Sequence, residues 1–137
     1  MSHPDGLPDL FLDRSLGRKK LPELLRAEGL RLVTLAEHYG IPHDETIEDT
    51  EWLQHCGDRG WLAIMKDDRI RYVGAERHAL VENRVRAAVI TNANLPAPDM
   101  AARIIRALSD LAEICDAREG PFLFALQQNR IEEIALD

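Results

Sequence analysis

Little in the chain suits an oxidising compartment, a membrane or an undirected grip on nucleic acid. Its two cysteines, Cys56 and Cys115, lie far apart, lack a CxxC partner and fall in apolar helical patterns, so buried reduced thiols are expected rather than a disulfide or a redox pair. No apolar run approaches membrane-spanning length, and Met1 to Asp9, with two prolines and two aspartates, does not read as a signal peptide. The expected location is the cytoplasm, with no membrane partner. Positive charge is also scarce: 17 Lys and Arg stand against 24 Asp and Glu, a formal charge of −7, which argues against binding nucleic acid by bulk attraction. A carboxylate-lined site for a divalent cation remains open, because its acids would account for part of that charge. The five histidines show no His-x-x-x-His ligand spacing, and no internal repeat or low-complexity tract appears.

What is present suits one ordinary core: 137 residues at 45% hydrophobic content predict a flexible N-terminal lead-in over residues 1–8 and a single domain over 9–137. The chain is organised around Gly60 to Ile70, in which the apolar run Trp61 to Met65 reads as a buried central strand and empties into Lys66, Asp67, Asp68 and Arg69. Leu10 to Leu12 predicts a first strand ending at Asp13, and Leu21, Leu24 and Leu25 a helix closed by Gly29. Leu30 to Leu35 predicts a second strand.

An acidic loop is expected over Tyr39 to Asp49. Thr46 with Asp49 has the spacing of a capping box for a short helix carrying Trp52, Leu53 and Cys56, and Asp49 could itself be its N-cap. A second short helix over Ala75 to Glu82 and a strand over Ala87 to Ile90 follow the central strand. Met100, Ile104, Leu108, Leu111 and Cys115 recur at helical spacing and predict the longest helix. Phe122 to Leu126 is a last buried strand, with Ile131 to Leu136 an antiparallel edge partner. The alternation predicts an α/β three-layer sandwich, a mostly parallel central sheet flanked by helices.

In such a sheet ligands sit outside the carboxyl ends of the strands, and Asp13 and Asp67 each end one. Asp49 enters from a loop opening on or beside the same rim. Carboxylates gathered there repel one another unless a cation intervenes, and Mg²⁺ or Mn²⁺ fits, held by carboxylates, waters and substrate phosphate oxygens. The expected chemistry is phosphodiester hydrolysis by a metal-activated water.

The stretches LFLDRSLGRKKLPELLRAEG and EDTEWLQHCGDRGWLAIMKDDRI resemble the PIN-like nuclease domain, in particular the compact branch among VapC-type toxins of bacterial toxin-antitoxin pairs, and the likeness runs from about Asp9 to about Leu136. The resemblance lays the family's first acid on Asp13, its middle acid, in a D-x-x-W stretch, on Asp49 before Trp52, and its third on Asp67. Met65 stands where that family often carries threonine or serine, and a fourth acid has no counterpart, since Asn92 and Asn94 occupy its region. The resemblance implies a Mg²⁺-dependent endoribonuclease with tRNA, rRNA or mRNA as substrate, silenced by a cognate antitoxin protein.

Each of these residues has a plainer role open to it. Asp13 could cap a helix beginning near Arg18, and Asp49 its own helix; Glu51 could be a solvated face, a group behind the metal ligands or itself the middle ligand, Asp68 a turn or salt-bridge residue or a group behind the ligands, and Asn92 such a group as well. Trp52 and Trp61 suit the core. Arg14, Arg18 and Lys19, with Lys66 and Arg69 past the central strand, could hold RNA phosphates or be solvated charge, although cations at a helix start oppose its dipole and call for a reason. The apolar face of the longest helix and the edge strand offer surfaces for a homodimer or an antitoxin. Two further readings stand beside the nuclease: a catalytically weak or inactive module with this fold that binds RNA or a protein partner, and a receiver-like phospho-acceptor domain.

Overall fold

The structure, a computed structural model, describes residues 2–66, 74–91 and 94–136. Its elements are β1 (Leu10–Leu12), α1 (Lys20–Ala27), β2 (Leu32–Thr34), α2 (Leu35–Tyr39), α3 (Asp49–Arg59), β3 (Leu62–Met65), α4 (Gly74–Glu82), β4 (Arg86–Ile90), α5 (Ala97–Ala117), β5 (Phe122–Leu126) and β6 (Ile131–Ile134). They form one six-stranded sheet in the order β2-β1-β3-β4-β5-β6, parallel throughout except for β6, which pairs antiparallel at the edge.

The apolar runs become strands because both faces of the sheet are covered, so every side chain of β1, β3 and β5 is buried. Alternation along each strand then divides the core. Leu10, Leu12, Ile64, Ala88, Phe122 and Phe124 join α1 and α5 on one face. Phe11, Ala63, Met65, Val89 and Leu123 join α2, α3 and α4 on the other. This is the expected three-layer α/β sandwich. No helix among the described residues is long and apolar enough to cross a membrane. Both cysteines are free and buried.

Two local expectations are corrected. The second strand stops at Thr34, because Thr34 and Glu37 form a capping box that starts α2 at Leu35, inside the predicted strand and loop. The capping box expected of Thr46 and Asp49 does not form: Thr46 Oγ1 donates to the His43 carbonyl, Glu48 sits at the N-cap without a side-chain bond, and Asp49 is already helical. At its far end α3 stops at Gly60, whose φ of 68° is the left-handed conformation that glycine adopts without strain. One turn earlier, a Cβ on Gly57 would lie 2.2 Å from the Asn83 carbonyl oxygen, so glycine is what lets α3 approach the turn after α4. Residues 2–8 make contacts with the body: Leu7 is buried, His3 Nε2 donates to the Leu7 and Pro8 carbonyls, and the Arg31 amide donates to His3 Nδ1.

Candidate functional site

The order β2-β1-β3 reverses the direction of winding at β1, and in doubly wound sheets the crevice opens at that switch point, outside the carboxyl ends of the two central strands. Leu12 pairs with Ile64 there, and the Asp13 amide continues the ladder to the Ile64 carbonyl at 3.1 Å. Asp13 therefore leaves the sheet at the crevice. Its backbone is extended, and its carboxylate caps the short 3₁₀ turn Arg14–Leu16 rather than the helix beyond it. Asp13 Oδ2 accepts from the Ser15 hydroxyl at 2.9 Å and from the Ser15 amide at 3.5 Å. That hydroxyl in turn accepts from the Lys66 amide at 3.1 Å, so Ser15 ties the end of β3 to the Asp13 carboxyl.

Asp49 arrives from the other layer. As the first residue of α3, its Oδ1 accepts from the Trp52 indole Nε1 at 2.8 Å, one turn along, while its other oxygen has no donor among the described residues. Trp52 is buried and stacks on Phe11 of β1 at 5.4 Å between ring centroids, which docks the start of α3 beside the end of β1. Trp52 is thus core, as expected, and also orients Asp49.

The two acids feel each other. Burial pushes the Asp13 carboxyl above its ordinary range; the Ser15 hydroxyl opposes that, and the negative charge of Asp49 raises it further. Burial likewise raises the Cys56 thiol, one helix behind, with the charge of Asp13 adding to it. Two carboxylates at one crevice, Asp13 held by the Ser15 hydroxyl and amide and Asp49 by the Trp52 indole, suit a divalent cation. Among the described residues no group of three or more His, Cys, Asp or Glu side chains is placed to hold a metal ion. Asp67, the expected third acid, lies outside the described residues, as do Asp68, Arg69 and Asn92.

Glu51 is exposed, and its charge acts on His38 and Tyr39 of α2. Lys19 is exposed at the start of α1, and Lys66 is half-buried with its amide on Ser15. Arg14 and Arg18 have protein partners: Arg14 donates to the carbonyls of Asp44 and Ile47, both at 2.8 Å, and Arg18 grips the Asp44 carboxylate with Nε at 3.0 Å and a second nitrogen at 2.9 Å. These bonds supply the reason that cations at this helix start called for.

Sequence reasoning missed Asp44, which is 2% exposed, and the signal was faint. Five acids crowd that stretch, and burial falls on the one that an arginine twenty-six residues away can reach. The outcome is a clamp: two arginines that follow Asp13 hold the segment that leads into Asp49. Ser15 was legible in principle, because a serine two residues after an aspartate is placed to bond it.

The chain matches the family model described as PIN like domain over residues 8–92, which include Asp13, Asp49 and Asp67. It is 33% identical over 128 residues to "Putative ribonuclease VapC45" of Mycobacterium tuberculosis (strain ATCC 25618 / H37Rv), an alignment covering 93% of this chain and 92% of that protein. No solved structure matches it.

Proposed function

Since the chain belongs to the PIN-like domain family, we propose that it is a VapC-type ribonuclease, hydrolysing RNA phosphodiester bonds as the toxin of a toxin-antitoxin pair and silenced by a cognate antitoxin. The observation that carries this reading is the approach of Asp13, at the end of β1, and Asp49, at the start of α3, which the stack of Trp52 on Phe11 brings to the crevice between β1 and β3. Asp13, Asp49 and Asp67 are the residues proposed to hold Mg²⁺ or Mn²⁺, which would supply an activated water and offset charge on the transferring phosphate.

The chain's own residues prepare that site. The Ser15 hydroxyl and the Trp52 indole each occupy one oxygen of their acid, and so set the direction from which the carboxylates bind. The packing of Trp52 on Phe11 shields the floor of the crevice from bulk water. Burial holds the Asp13 carboxyl above its ordinary range, and a bound cation would favour its ionised form.

A module that binds RNA or a protein without cutting is the second reading, and Met65 favours it: its side chain packs in the core and brings no hydroxyl to the rim. Cleavage of a structured RNA in the presence of Mg²⁺ separates the two. The nuclease reading expects cleavage by the parent, its abolition by chelation, and its loss in Asp13→Asn, Asp49→Asn and Asp67→Asn proteins that stay folded. Variants that cut as well as the parent would overturn the assignment of the acids.

A further inference from the structure

Past the ends of β4 and β5, on the carboxyl rim they share with β1 and β3, the first turns of α5 bring arginines against the strand termini. Arg103, half-buried, donates one terminal nitrogen to the Thr91 carbonyl at 2.7 Å and the Leu126 carbonyl at 3.3 Å, bridging the ends of both strands. Arg106, one turn along and exposed, donates to the Gln128 carbonyl in the loop after β5. Arg130, from the far side of that loop, donates to the Gln127 side chain at 2.7 Å and to Glu132 at 3.1 Å.

These three side chains line two adjoining hollows that share Arg103 and Arg106. The larger, about 320 Å³, is completed by Leu95, Asp99, Ala102 and Gln128. The smaller, about 30 Å³, includes Arg130 and Asp110. Asp99 and Asp110 are exposed, and neither forms an ion pair with these arginines among the described residues.

Within this corner Arg130 is paired with Glu132, and Arg103 and Arg106 have no carboxylate partner among the described residues. Arg18, Arg26, Arg31 and Arg118 all pair with carboxylates, whereas the protein partners of Arg103 and Arg106 among the described residues are main-chain carbonyls. A guanidinium carries five N–H donors in a planar fork, so each retains donors and an unneutralised charge. In a chain of net charge −7, an uncompensated pair of this kind facing a hollow is a place for an anion, and the fork matches phosphate.

Position identifies which anion. Three strand spacings separate β1 from β5, and at ~4.8 Å each the hollow lies about 14 Å from Asp13 along the same rim. We propose that the larger hollow, with Arg103 and Arg106 in its wall and Arg130 in the adjoining one, binds backbone phosphates of the RNA substrate, a few nucleotides from the bond that is cut. This deepens the ribonuclease reading and rests on it for the identity of the strand. The hollow and the acids then divide the work: the acids act at one phosphate, and the arginines hold the strand in register for them.

The test uses full-length protein carrying Asp13→Asn, to prevent cutting, and a fluorescein-labelled single-stranded RNA of about 12 nucleotides, with binding read by anisotropy from about 50 to 300 mM KCl. Arg106→Gln with Arg130→Gln is the variant of choice because both side chains are exposed; Arg103, which pins two strand ends, is left in place. The expected result is a Kd raised about tenfold and a salt slope shallower by about 1.4, because two phosphates of a single strand are no longer neutralised by the protein. In the parent background, KM should rise about tenfold with kcat within about twofold.

An unchanged Kd and salt slope overturn the hollow as an RNA site, whether or not the parent cuts. A variant that loses an acidic protein partner while holding RNA as before overturns it as well, and assigns the hollow to that partner. Arginine-dependent binding by a parent that cuts no RNA supports the hollow and overturns the nuclease reading instead.

Discussion

Replacing Arg14 should loosen the site without touching an acid. Its guanidinium holds the carbonyls of Asp44 and Ile47 at 2.8 Å each, and Ile47 stands two residues before Asp49. Arg18 holds the Asp44 carboxylate from the other side, so the approach to α3 is fixed to the turn that begins at Asp13. A hydrogen bond to a charged group contributes about 1.5–3 kcal/mol when buried. The Arg14 side chain is exposed while Asp44 and Ile47 are buried, so both bonds are partly shielded and Arg14→Ala should cost about 2 kcal/mol for the two together.

For a chain of this length that corresponds to a fall in Tm of roughly 6–10 °C by circular dichroism. Arg14→Lys keeps the charge, but its ammonium lacks the fork that spans both carbonyls, and it should lose about half as much. Mn²⁺ affinity, read by calorimetry, should drop about 10- to 100-fold in Arg14→Ala because Asp49 is no longer held at its distance from Asp13. A variant with the parent's Tm and the parent's Mn²⁺ affinity would refute the clamp. A lowered Tm with unchanged affinity would confine it to stability.

Trp52→Phe keeps most of the stacking on Phe11 but removes the indole donor to Asp49; it should cost about 2 kcal/mol in urea unfolding and weaken Mn²⁺ binding about tenfold, and equal affinity would show that Asp49 needs no such donor. Asp13, raised from its ordinary 3.8 by burial, contributes stability that is complete below that value and is lost as pH rises through its folded pKa. Metal-free Asp13→Asn should therefore melt above the parent near neutral pH, with the gap closing toward about pH 4, and a lower Tm for the variant at neutral pH would contradict the burial argument. Glu37 runs the other way: held below its ordinary 4.5 by the Arg26 guanidinium first, it stabilises above that value and loses its effect as pH falls through the lowered one, so Glu37→Gln should matter at neutral pH and fade in acid. Thr34→Ala, which removes the hydroxyl that accepts from the Glu37 amide, should cost about 1 kcal/mol by urea midpoint, and no change would mean that α2 is held by Leu35 alone.

Much of the architecture was legible because it rests on short-range pattern. The runs at Leu10, Leu62 and Phe122 are apolar without alternation, which suits strands covered on both faces, and α5 declares itself through repeats at three and four residues. Where two local signals overlapped, reading failed. Leu35 continues an apolar run and also follows the capping threonine of a five-residue helix, and a helix that short forms through tertiary packing more than through its own propensity. Asp49 was open to a cap as well as a ligand role, and spacing alone did not show that Glu48 would take the N-cap position or that the Trp52 indole would bond the Asp49 carboxylate.

By itself the sequence determined the layers, the direction of the strands and the rim on which Asp13 stands, because periodicity and punctuation act over a few residues and survive without knowledge of the partner. Only the tertiary structure decided which charges meet. Asp44 is buried because Arg18 reaches it, Asp13 is pushed toward its protonated form because burial and Asp49 act on it together, and Arg103 faces strand ends instead of a carboxylate. Electrostatic and hydrogen-bonding interactions depend on distances across the fold, and spacing along the chain does not contain those distances.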